Sequence, residues 1–229
     1  MRKINERLGV PDNIVEVAES IYDNIILDIE NNIVKNNRVK LKFIIDDNIG
    51  DISIKNVKIS INIEELTREE VNTKEDIVLL GASIRNISII KNNKSVSLNK
   101  KPYISINLAF IDKEVSILNI KNFLISDRKE LIKILAHELM HKYDYMKKSK
   151  RNPMLGSTYQ AYSEIGSTGI KSISDFFHYL YFTHTIENVT RPTEIVAGIK
   201  LNEIERENFE EFLNNDNTYK MLKTINSFT

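Results

Sequence analysis

The chain has 229 residues, 41% of them hydrophobic, enough to bury one ordinary core. Lysine and arginine number 32, as do aspartate and glutamate, so the formal net charge is zero and no global field draws the chain toward nucleic acid or an anionic membrane. Cysteine is absent, which excludes disulfides, thiolate metal ligands and a cysteine nucleophile together and leaves His, Asp and Glu to hold any metal.

No stretch is apolar and long enough for a membrane-spanning helix, and Met1 to Gly9 holds basic residues without the apolar segment of a signal peptide. A cytoplasmic protein is expected. The usage leans toward Asn, Ile and Lys, as in a low-GC genome, an AT-rich bacterium or one of its phages. That bias weakens runs of Ile or Asn as functional signals.

In chain order, Ile14, Val17, Ile21 and Ile25 fall three and four apart and predict a helix from about Asp12 to Asn31, with Pro11 and Asp12 as start signals. From Arg38 to Asp112 the period becomes two. Val39, Leu41, Phe43 and Ile45 make one candidate strand, and Val57, Ile59, Ile61 and Ile63 a second. Ile77 to Ile90 is a third, and Tyr103 to Ile111 a fourth, with Asn92, Asn93 and Asn99 in the loop between those two. Leu131, Ile134, Leu135, Leu139 and Met146 then restore the helical period from about Asp127 to Lys148. Ser126 or Asp127 is placed to cap that helix, and the basic cluster Lys147, Lys148, Lys150 and Arg151 suits its negative end. Gly156 to Gly169 is rich in small residues, and helices are predicted at Ser174 to Thr185, Pro192 to Leu213 and Thr218 to Ser227. One helix, then strands, then helices describes an α+β fold: a helix-plus-sheet region over 1–112 and a helical region over 113–229, expected to form one compact domain with a mixed or mostly antiparallel sheet.

The chemistry sits in His137-Glu138-Leu139-Met140-His141, inside the helix that apolar spacing already marks. Residues four apart on a helix project from one face about a turn apart, so two imidazoles can converge on one zinc at roughly 2.0 Å. Glu138 is close enough to reach a water beside such an ion without ligating it. Zinc lowers the pKa of bound water toward about 7, and a carboxylate general base can take its proton. Leu139 and Met140 are expected to face the core. The bland alternative is a helix carrying two histidines and no metal.

A catalytic zinc has three protein ligands and an open position. Thr193-Glu194-Ile195-Val196-Ala197 offers Glu194, on the helix predicted to open at Pro192. With that glutamate, the chain resembles the gluzincin class of HExxH zinc metallopeptidases. The resemblance rests on the strand at Tyr103 to Ile111, the Asp127 to Lys148 helix and the Glu194 helix; the first hundred residues carry none. It implies a zinc metalloendopeptidase-like hydrolase acting on a peptide or protein, with His137, His141 and Glu194 as metal ligands and Glu138 as the catalytic base. It also implies that Ala197 and Gly198 let the Glu194 helix approach the HExxH helix, and that Tyr103 to Ile111 is an exposed edge strand able to pair with an extended substrate, the alternative being an interior strand paired on both sides. The alternative for Glu194 is a first-turn glutamate stabilised by the helix dipole.

Asp144 shares the face of His141 and is open to three roles: ligand, partner orienting an imidazole, or solvated acid. Tyr181 or His184 is a candidate oxyanion donor, weighed against simple packing of the aromatic run Phe176 to Phe182. Glu164 and Glu187 read as surface charges. The metzincin continuation is absent, since Lys142-Tyr143-Asp144-Tyr145 follows His141. A non-enzymatic structural or phage-associated protein built on a peptidase-like domain is the alternative function.

Overall fold

A computed structural model of the chain describes residues 10–44, 47–49, 52–54, 57–70, 73–85, 88–91, 94–97, 103–148 and 185–226. It has the α+β character expected: a helix, a mixed sheet, then helices. The chain divides into two compact units, Asn13–Leu139 and Met1–Asp12 with Met140–Thr229. Among the described residues no helix is long and apolar enough to cross a membrane.

The unit Asn13–Leu139 opens with helix α1 (Ile14–Asp28), which buries Ile14, Val17, Ala18, Ile21 and Ile25 along one stripe and runs into a 3-10 turn, Ile29–Asn31. A four-stranded sheet follows in the order β1-β4-β8-β5, where β1 is Arg38–Phe43, β4 Val57–Leu66, β5 Ile77–Arg85 and β8 Tyr103–Ile111. Strand β8 runs parallel to β4 and antiparallel to β5, and β1 runs antiparallel to β4. The register sets Leu41 opposite Ile59, Ile59 opposite Ile104, and Ile61 opposite Val39 and Ile106. Because side chains alternate, one sheet face is therefore a continuous apolar surface. Its residues Val39, Leu41, Ile59, Ile61, Ile104, Ile106 and Leu108 are buried.

Three expectations change here. Tyr103 to Ile111 is not an edge strand: β8 is hydrogen-bonded on both sides, and β5 and β1 are the edges. Two long apolar strands beside β8 supply both ladders, so its entire backbone is used inside the sheet. The predicted strand over Ile77 to Ile90 is two elements. β5 ends at Arg85, which pairs with Tyr103, the first residue of β8, so no partner is left to extend it. Its continuation, β6 (Ser88–Lys91), pairs instead with β7 (Lys94–Ser97), with Lys91 opposite Lys94. A smaller hairpin joins β2 (Asp47–Ile49) to β3 (Ile52–Ile54). Ile45, Asn92, Asn93 and Asn99 lie outside the described residues.

Third, a helix stands between β8 and the HExxH helix. Helix α2 (Ile117–Ser126) starts at Ser116, whose side chain accepts from the Asn119 N–H, and it buries Ile120 and Leu124. Ser126 therefore belongs to α2, its hydroxyl donating to the Phe123 carbonyl. Asp127 separates α2 from α3 (Arg128–Lys148), its own carbonyl accepting the Leu131 N–H at 3.0 Å as the first bond of α3. The start of α3 is tied to α1 by Arg128, which pairs with Glu19 at 3.0 Å and lies 5.4 Å from the Tyr22 ring centroid. The Tyr22 hydroxyl in turn donates to the Leu124 carbonyl at 3.1 Å in a buried bond.

In the other unit, helix α4 (Thr185–Leu201) begins upstream of the predicted start at Pro192, which lies inside it. A proline ring removes one backbone bond from a helix, and the flanking turns carry this one. The helix also stops short of Leu213. Glu203 adopts φ +50, its N–H bonds Lys200 O and the Ile204 N–H bonds Ile199 O, a Schellman closure. A 3-10 turn (Arg206–Asn208), helix α5 (Phe209–Asn215) and helix α6 (Asn217–Asn226) complete the described chain.

Candidate metal centre

Successive helix residues are about 100° apart. On α3 this puts Leu131, Ile132, Leu135, Ala136, Leu139 and Met140 on one side, and all six are buried. Leu139 and Met140 anchor the helix as expected. His137 and His141 project from the opposite flank. His137 is nonetheless only 5% exposed, while Glu138 and His141 are partly exposed.

The geometry that matters is local to this one continuous helix. Ligand atoms of His137, Glu138 and His141 all lie within 4.8 Å of one another. Two nitrogens sharing a tetrahedral zinc at roughly 2.0–2.1 Å stand about 3.4 Å apart, a separation that rotation of the imidazole side chains can reach. The donor set, imidazole and carboxylate without thiolate, is the chemistry a zinc ion accepts. These residues therefore fit the ion that the sequence motif calls for.

Glu194 lies in the other unit, in the middle of α4 and not in a first turn, so a helix-dipole role no longer accounts for it. It is 9% exposed, and both oxygens are engaged. Arg191, three residues earlier on the same helix, donates to Oε1 at 3.0 Å, and the Thr218 hydroxyl of α6 donates to Oε2 at 2.6 Å. A buried carboxylate needs such partners, because an uncompensated charge away from water is costly. Ala197 and Gly198 are buried next to it. The close approach found at Gly198 is to α5, where a Cβ added to the glycine would stand 2.9 Å from Phe212 Cζ.

Arg191 was legible in principle, since residues three apart on a helix face each other. Thr218 was not, because nothing in its neighbourhood marks it as a partner of a residue on another helix. Asp144 is in α3, but its side chain lies outside what the structure describes, as do those of Glu187 and the whole of Glu164, His178, Tyr181 and His184.

At the N-terminal end of α3, burial pushes the Asp127 carboxyl above the usual carboxylate range, helped by the charges of Glu75 and Glu130. That acid belongs to the helix start, more than two turns before His137.

Comparison with protein-family models, with curated proteins and with solved structures finds no match for this chain. The functional reading therefore rests on the residues themselves.

Proposed function

We propose that the chain is a zinc-dependent metallopeptidase of gluzincin type, with His137 and His141 as metal ligands, Glu194 as the third ligand and Glu138 as general base. The observation that carries the reading is the convergence of His137, Glu138 and His141 within 4.8 Å on one well-anchored helix, in the HExxH order. The burial of His137 adds to it. An imidazole held in the interior loses little conformational freedom on ligation, so the helix is organised for binding before the ion arrives.

Zinc bound there supplies Lewis-acid polarisation of a carbonyl and a more acidic water. The work of the protein is then positional. His137 and His141 would hold the ion on the flank of α3, and Glu138, one residue along and partly exposed, would take a proton from water and return it to the departing amine. Glu194, a buried and hydrogen-bonded carboxylate, would on this reading be the third ligand and would offset part of the ion's charge. The substrate class is a peptide or protein, and neither nucleic acid nor membrane enters the reading.

The test is peptide-bond hydrolysis of an unfolded protein substrate by the native chain and by Glu138→Gln, each purified without added zinc. The reading expects zinc in both proteins and hydrolysis in the native chain alone. Equal hydrolysis by the two would remove Glu138 from its role, and a native chain devoid of metal and activity would favour the non-enzymatic alternative.

A further inference from the structure

Strand β1 is one edge of the four-stranded sheet, and one of its faces is a row of cations. Arg38, Lys40 and Lys42 alternate with Val39 and Leu41, so the three share a face, and all three are exposed. The register sets Lys42 directly opposite Lys58 of β4, which adds a fourth cation to that face. Among the described residues no ion pair reaches any of the four.

The backbone of the same strand is open. The Ile63 N–H bonds Asn37 O at 2.8 Å. Hydrogen-bonded and non-hydrogen-bonded pairs alternate along an antiparallel ladder, so Val39 and Leu41 bond to β4 while the N–H and C=O groups of Lys40 and Lys42 point away from it. Lys35 exchanges backbone bonds with Arg38 at 2.9 and 3.2 Å and closes the start of the edge. Lys40 and Lys42 are left as the positions where another strand can pair.

The alternation also makes Lys42 and Lys58 a non-hydrogen-bonded pair, the kind whose side chains stand closest. Like charges directly opposite each other destabilise a sheet. Lysine on an edge strand ordinarily serves to keep other strands away. That accounts for Lys40 and Lys42 but not for Lys58, which is on a strand paired on both sides, with β1 and with β8.

We propose that the β1 edge docks an extended acidic segment of a partner protein. The segment adds as a further strand, pairs its backbone with Lys40 and Lys42, and sets acidic residues at alternate positions against Arg38, Lys40, Lys42 and Lys58. The open backbone favours a peptide over a nucleic acid, because a phosphodiester chain has no N–H groups to complete a ladder. The proposal is independent of the zinc reading.

The experiment titrates the full chain, at low salt, into three fluorescent probes followed by anisotropy: a peptide of alternating Glu and Thr, its counterpart of alternating Gln and Thr, and a thymidine oligonucleotide. Amide hydrogen exchange is measured beside it. The Glu peptide is expected to bind, and the Gln peptide to bind roughly tenfold more weakly or not at all. Lys40→Gln with Lys42→Gln is expected to weaken the Glu peptide by a similar factor, and binding is expected to slow exchange at the amides of residues 40 and 42. Lys42→Gln alone is expected to raise the melting temperature of the free chain, since it ends a like-charge pair. No binding of the Glu peptide overturns the proposal and leaves the lysines as edge protection. Binding that ignores the lysine substitutions, or that leaves exchange at residues 40 and 42 unchanged, overturns it as well. Tighter binding of the oligonucleotide than of the Glu peptide overturns the choice of partner, and a lower melting temperature for Lys42→Gln overturns the argument from repulsion.

Discussion

His137 and His141 stand one turn apart on the same flank of α3, yet His137 is 5% exposed and His141 is partly open to solvent. Two imidazoles of one motif thus meet water on unequal terms. Without metal, an imidazole-acylating reagent is expected to modify His141 well before His137, read by mass spectrometry of the peptides. Zinc is expected to slow modification of both. Equal rates at the two histidines, unaffected by zinc, would contradict the arrangement.

Helix α3 owes the direction of its first turn to α1 and α2. The buried bond from the Tyr22 hydroxyl to Leu124 O, at 3.1 Å, ties those two helices together. Tyr22→Phe removes the donor and strands a buried carbonyl, at a cost of about 1–2 kcal/mol. Denaturant unfolding should show that loss with an unchanged slope; a midpoint equal to the native one would mean the carbonyl finds another donor.

Gly198 faces Phe212, and an added Cβ would come within 2.9 Å of Cζ. Alanine favours a helix by up to about 1 kcal/mol over glycine, but overpacking costs roughly 1–3 kcal/mol. Gly198→Ala is therefore expected to destabilise the protein by about 1 kcal/mol. Combined with Phe212→Leu, which removes the far end of the ring, the alanine should become neutral or stabilising, a coupling that a double-mutant cycle measures.

Asp76 is held below the usual carboxylate range, first by the hydrogen bond from Arg68, then by Lys113. A depressed folded-state value means that stability is gained above the ordinary carboxylate pKa near 4 and lost as pH falls through the folded value. Asp76→Asn should lower the melting temperature at neutral pH, and the gap should close in acid. The group is at the surface, so the effect should be small and should shrink in high salt. A gap that persists in strong acid would assign it to the amide and not to the lost charge.

Much of this molecule was legible in local pattern. The stripe of α1, the alternation in β4 and β8, and the helix around His137 follow from spacing alone, because each buries a face whose period is written in consecutive residues. The HExxH cluster was legible for the same reason: three residues within five on one helix determine it. What local pattern does not contain is pairing. Nothing in Tyr103 to Ile111 says that β5, earlier in the chain, takes its second side, and so an interior strand read as an edge. Helix α2 was missed although Ile117, Ile120 and Leu124 fall three and four apart and Ser116 is an ordinary N-cap; a ten-residue segment between a long strand and a long helix reads as their connection. The end of α4 at Leu201 was hidden because Glu203 takes a positive φ without being glycine. Thr218 meets Glu194 across two helices, a contact that only folding reveals.

The central claim is that His137 and His141 together hold a zinc ion, and zinc titration of the native chain beside His137→Ala and His141→Ala tests it most directly. One zinc per native chain, with binding weakened by orders of magnitude in each variant, is the predicted outcome. A native chain that takes up no zinc, or variants that bind it as tightly as the native chain, would contradict it.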